Sequence, residues 1–160
     1  MNAPPTFSQL PRAGVGRRLA ALVYDTLIIL GLLMVYGFLA MLVASAVVGL
    51  ECQPEELDYS PCVSGPLFQV GMVAVIAGYF VWSWHAAGQT IGMRAWRLLL
   101  ASPDGVQLSW RQCALRALVG ALSLACAGAG YFWAWTREDK ASWHDLASGS
   151  EVRLLPKKKG

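Results

Sequence analysis

The sequence predicts an all-α membrane protein with two full transmembrane helices, a third apolar helical region that is broken or re-entrant, and a short cytoplasmic β-hairpin. Three observations carry this expectation. The chain of 160 residues is 56% apolar and only 14% charged. Neither Thr26–Leu50 nor Gly65–Trp84 contains a charged side chain, and each reaches the roughly 20 residues that a helix needs to cross the hydrocarbon. None of the 13 Lys and Arg residues lies between those two stretches. A soluble domain of this size would have to bury both helices, with too few polar residues to cover them.

The elements follow in order. Residues 1–16, with several Pro and Gly, are expected as a flexible cytoplasmic lead-in to a membrane domain over 17–155. The first span is expected over 17–49. A secretion signal has an apolar core of only about 7–15 residues, so a retained anchor is the reading. The outer loop, 50–65, carries Glu51, Glu55, Glu56 and Asp58 and no basic residue. Because Lys and Arg mark cytoplasmic flanks, this loop faces outward. The second span is expected over 66–87, with Tyr79, Phe80, Trp82 and Trp84 at its inner, interfacial end.

Ser102-Pro-Asp-Gly105 has the composition of a tight turn. Its flanks, Ala95–Ala101 and Val106–Trp110, are expected to pair as the hairpin. The third apolar region, 111–136, is interrupted by Arg116 and by Ala127-Gly-Ala-Gly130, where glycine permits a bend. If this region crossed once, the basic residues after it would lie outside. If it folds back, both termini are cytoplasmic, and that is the expectation. ASWHDLAS then reads as a short helix and EVRLL as extended, before a basic cytoplasmic tail over 156–160.

The net charge of +3 borders membrane segments, where it meets anionic headgroups rather than nucleic acid. Cys52 and Cys62 in the outer loop are able to pair in an oxidising compartment, while Cys113 and Cys126 read as small core residues. There is no CxxC pair, and His85 and His144 are far apart in sequence, so no metal site is expected. GAGYFW lacks the strand, spacing and acidic partner of a dinucleotide site, and no cofactor is expected. Ser142, His144 and Asp145 are close in sequence, but a helical WHD puts His and Asp on different faces. No catalytic residue is expected.

The charges at membrane depth are the candidate site. In RRLAALVYD, Arg18 and Asp25 stand seven residues apart, two helical turns on one face and about 10 Å along the axis. That is long for a direct ion pair, so each is expected to take another partner. An ionisable group at membrane depth usually faces protein or water and finds a partner. For Asp25 the candidates are Arg116 and Arg94; Arg18 is within reach of Asp145. The pairs would act either as a clamp between helices or as a group that binds a proton or cation.

These residues resemble the RDD family of small bacterial membrane proteins, named for one arginine and two aspartates. Arg18 and Asp25 match its first helix, and His144-Asp145 matches its C-terminal His-Asp pair. GQTIGMRAWRL, the PDG turn, the W-R-Q…LR helix and WHDLASGS are similar in the same order, over roughly residues 12–155. SGSEV departs from the family's small-Gly-Thr segment at Ser150. The resemblance implies a multi-pass protein of the bacterial cytoplasmic membrane. Some family members support sodium–proton exchange, and others act as modules or adaptors in larger assemblies.

Two functions are therefore expected as alternatives. One is a small cation or proton transporter, which needs an oligomer to enclose a pathway. Small residues at Ala74 and Gly78, and at Ala121, Ala125 and Ala129, permit close helix packing, between copies or within one chain. The other is a non-catalytic scaffold or assembly module, partnered by other membrane proteins, whose charges lock its own fold.

Overall fold

The computed structural model describes residues 6–48 and 63–157. The outer loop lies outside these residues, and with it the expected Cys52–Cys62 disulfide, as do the last lysines of the tail. After a short 3-10 turn at Phe7–Gln9, the helices are α1 (Val15–Val48), α2 (Pro66–Ala87), α3 (Ile91–Ala95), α4 (Trp110–Ala125), α5 (Ala129–Thr136) and α6 (Trp143–Ser148). Strands β1 (Leu98–Ala101) and β2 (Glu151–Leu154) complete the fold.

Two helices, α1 and α2, are long and apolar enough to cross a membrane, and the most apolar window of each has none of its residues buried. An all-round apolar helix without protein cover belongs in lipid. The fold is that of an all-α membrane protein.

At 34 residues, α1 is about 50 Å long, well beyond the roughly 30 Å hydrocarbon. Its first turns serve another purpose. Val15, Arg18, Ala21 and Asp25 are all buried, and their three- and four-residue steps place them on one helix face. That face packs into a polar-ended cap built from α3, β1, α6, β2 and the segment before α1. The buried apolar cluster of the molecule lies there, with Leu98, Leu100, Leu108, Met93, Cys113 and Val152 among its members. Cys126, by contrast, is exposed.

The third region is bent as the sequence suggested. Between α4 and α5 the axis turns by 95°. Ala127 and Gly128 both adopt positive φ, 54° and 77°, and a Cβ on Gly130 would meet Ser123 and Trp143. Near its start Gln112 Nε2 donates to the Ser148 carbonyl of α6 at 3.2 Å, and just after its end Arg12 donates to the Asp139 carbonyl at 2.6 Å. Both ends therefore join the cap. Ala74, Gly78, Ala121 and Ala125 are exposed; the close approach of α1 to α2 is made instead at Gly71, where a Cβ would strike the Tyr36 ring.

Two expectations are corrected. The hairpin is not formed. The Ser102–Gly105 turn closes, with Gly105 N–H donating to the Ser102 carbonyl at 2.8 Å, but its second flank is not a strand. Leu108 is drawn into the core at 1% exposure, and its carbonyl accepts from His85 Nδ1 at 2.9 Å. The antiparallel partner of β1 is β2, in register Leu98↔Leu154 to Ala101↔Glu151. Nor are residues 7–14 a loose lead-in. Ala13 N–H donates to Val152 and Leu154 N–H to Pro11, each at 2.9 Å, so the segment satisfies the edge of β2 and buries Leu10 and Ala13.

Candidate functional site

Asp145 is the centre of the cap. It sits at the third position of α6 and closes that helix's own start. Ser142 N–H and Oγ–H donate to Asp145 Oδ2 at 3.0 and 2.7 Å, a capping-box geometry. Two guanidiniums then converge on the same carboxylate. Arg18 Nη1 pairs with Oδ2, and Arg116 Nη1 reaches Oδ1 at 2.5 Å. Arg116 Nη1 also donates to Ser150 Oγ at 2.7 Å. The three charged residues are 9%, 4% and 3% exposed. Burial by itself would raise the Asp145 carboxyl, but the Arg116 and Arg18 charges outweigh it and hold the group below the usual carboxylate range.

His144 flanks this cluster. Burial, reinforced by the Arg116 charge, pushes its pKa down to about 3, with Asp145 opposing. The ring is therefore neutral near pH 7. Because Ser142 gives its hydroxyl hydrogen to Asp145, His144 Nε2 must donate to Ser142 Oγ, at 2.9 Å. Nδ1 then carries a lone pair that has no partner among the described residues. Both His144 and Asp145 thus touch Ser142, where helical geometry alone predicted divergence. This is not a catalytic triad: there the histidine bridges serine and carboxylate, whereas here the fully buried serine stands between the other two.

Asp25 forms a second, separate centre. Its Oδ1 accepts from Tyr79 Oη at 2.6 Å and from Gly92 N–H at 2.8 Å, and its Oδ2 accepts from Thr90 Oγ1 at 2.6 Å. Thr90 in turn caps α3, accepting from Met93 N–H at 3.1 Å. Asp25 therefore ties α1 to α2 and to the start of α3, and Gly92 permits the approach, since a Cβ there would lie 2.9 Å from Asp25 Cγ. The expected cation partners are absent: Arg116 is engaged with Asp145, and Arg94 is exposed. Sequence spacing could not reveal Tyr79, Thr90 and Gly92 as partners, although TIG has the form of a capped helix start.

A profile of the RDD family matches residues 12–149. The chain belongs to the RDD family. No curated protein and no solved structure matches it. The RDD match stops one residue before Ser150, whose hydroxyl serves Arg116. The structure divides the RDD signature into two centres on one face of α1: Arg18 with Asp145, and Asp25 with hydroxyl and amide donors.

Between these centres and the apolar helices lies a cavity of about 560 Å³. Arg18, Asp25, Arg116 and His144 line one part of it, and the facing sides of α2 and α4 line another. Trp84 closes against Arg116, with the guanidinium carbon 5.2 Å from the ring centroid, a favourable cation–π distance.

Proposed function

We propose that this RDD protein is a non-catalytic membrane module, a scaffold or assembly unit, whose arginine–aspartate network is structural. One observation supports this most: each carboxylate is held by three or more donors, most of them from remote parts of the chain. Asp145 is engaged by two guanidiniums and by Ser142, and Asp25 by Tyr79, Thr90 and Gly92. A carboxylate that carries a cation or a proton must give up protein donors to do so. Here at least three donors hold each carboxylate, and most of them join the first helix to the rest of the fold.

In this reading the chain is a multi-pass protein of the bacterial inner membrane, with anionic headgroups around its basic cytoplasmic end and other membrane proteins as partners. Both termini are cytoplasmic. The charge distribution supports that orientation, and so does the contact of residues 11–13 with β2. In a chain with its four cysteines replaced by serine, Ser64→Cys should label from outside and Glu138→Cys only from the cytoplasm.

A transporter is the second reading, favoured by the cavity that Asp25 and Arg18 share and by relatives of the family that exchange sodium for protons. It requires an oligomer and a proton or small cation as substrate. Reconstitution with a pH-sensitive dye separates the two. A structural network gives wild-type vesicles without sodium-driven proton flux, and Asp25→Asn with reduced folded protein. A transporter gives flux in the wild type, and Asp25→Asn that accumulates normally but does not exchange.

A further inference from the structure

The charges of the Asp145 centre do not balance. Arg18 and Arg116 share one carboxylate, and His144 beside them is neutral. Among the described residues one positive charge is therefore left over, with side chains only 8%, 5% and 3% exposed for Arg18, Arg116 and Asp145. Asp25 also borders the cavity, but it stands two turns from Arg18 along α1, about 10 Å, and its oxygens are already held by three donors. Buried charge is ordinarily paired.

The hydrogen-bond inventory points the same way. Arg18 bonds through Nε and Nη1, and Arg116 through Nη1 alone. Among the described residues no hydrogen bond engages either Nη2, and the Arg116 Nε–H is unpartnered as well. A guanidinium presents five donors in a planar fork suited to a carboxylate or phosphate. Two such forks, each with unused donors, border the same cavity.

The other end of the cavity is apolar and opens sideways. Val73 on α2 and Leu118 on α4 line it while remaining 66% and 70% exposed, so its mouth lies on the lipid-facing surface. Its size falls within the roughly 300–1,000 Å³ of small-molecule sites.

We propose that this cavity binds a membrane amphiphile with a single apolar chain and an anionic carboxylate or phosphate head, entering between α2 and α4. The head meets the unused donors of Arg18 and Arg116 and neutralises the surplus charge. The chain lies between Val73, Ala77 and Phe80 on one side and Ala117 and Leu118 on the other. This site is independent of whether the network also serves transport.

The test uses the full chain, purified in a neutral maltoside detergent, with palmitate as the probe. Native mass spectrometry and a thermal-melting titration should show one palmitate bound per chain, saturably. Methyl palmitate, which lacks the charge, should bind about tenfold or more weakly, the factor expected for losing a charge-assisted hydrogen bond. Ala117→Trp, which fills the apolar part of the cavity and leaves the charged residues in place, should abolish binding while keeping the helical spectrum and elution volume. Ala77→Trp plugs the opposite wall and provides the same test if the first variant misfolds. Equal binding of methyl palmitate, or unchanged binding in both plugged variants, overturns the proposal. Stabilisation by inorganic phosphate equal to that by palmitate overturns the requirement for an apolar chain. Self-association that covers the groove and excludes palmitate overturns it as well.

Discussion

Arg18 on α1 is ion-paired with Asp145 on α6 across 127 positions of sequence, and Arg116 on α4 grips the other oxygen of the same carboxylate. Three helices therefore meet on one side chain. Asp145→Asn would leave two buried guanidiniums without a counterion, at a cost of about 3–5 kcal/mol. The expected result is a steep fall in folded yield and melting temperature in detergent. Replacing all three charged residues by Met, Leu and Met should be milder than this single change, because no uncompensated charge remains.

Asp25 should be less sensitive. Asparagine with its oxygen in the place of Oδ1 keeps the Tyr79 and Gly92 donors but turns its N–H₂ toward the Thr90 hydroxyl, a loss of about 1–3 kcal/mol. Tyr79→Phe and Thr90→Val should each cost roughly 1 kcal/mol. A double-mutant cycle between Asp25→Asn and Tyr79→Phe should be non-additive. Additive melting shifts would show that the pair does not interact.

Gly92→Ala should be disproportionately harmful. The added methyl would collide with the Ala21 carbonyl and crowd the Asp25 carboxylate, pushing α3 off α1 at a cost of about 1–3 kcal/mol. Gly78→Ala, where a Cβ meets nothing within 4 Å, is the matched control and should melt like the wild type.

Stability should fall in acid for two reasons of the same sign. His144 has a folded pKa near 3 against 6.5 ordinarily. Between those values the unfolded chain binds a proton that the native state refuses, so stability declines as pH drops below 6.5. Asp145, depressed from 3.8, adds to the loss only below about pH 4. Melting measured from pH 7.5 to 5 should slope downward in the wild type and flatten in His144→Asn.

What sequence determined by itself is everything governed by local composition and period. The apolar stretches after Asp25 and before His85 are long enough to demand lipid. The 127–130 bend follows from small residues that accept positive φ, and Arg18 and Asp25 share a face because seven residues make two turns. Tertiary structure alone decided the rest. Leu98–Ala101 reads as half a hairpin because a turn follows it, yet it pairs with Glu151–Leu154, since Leu108 gains more by entering the core. Asp25 stands at a depth where an arginine is the obvious partner, yet it takes a phenol, a hydroxyl and an amide, because Gly92 lets α3 come close. Pairing between distant segments depends on which groups the completed fold brings within 3 Å or so, and no local pattern in the chain encodes that.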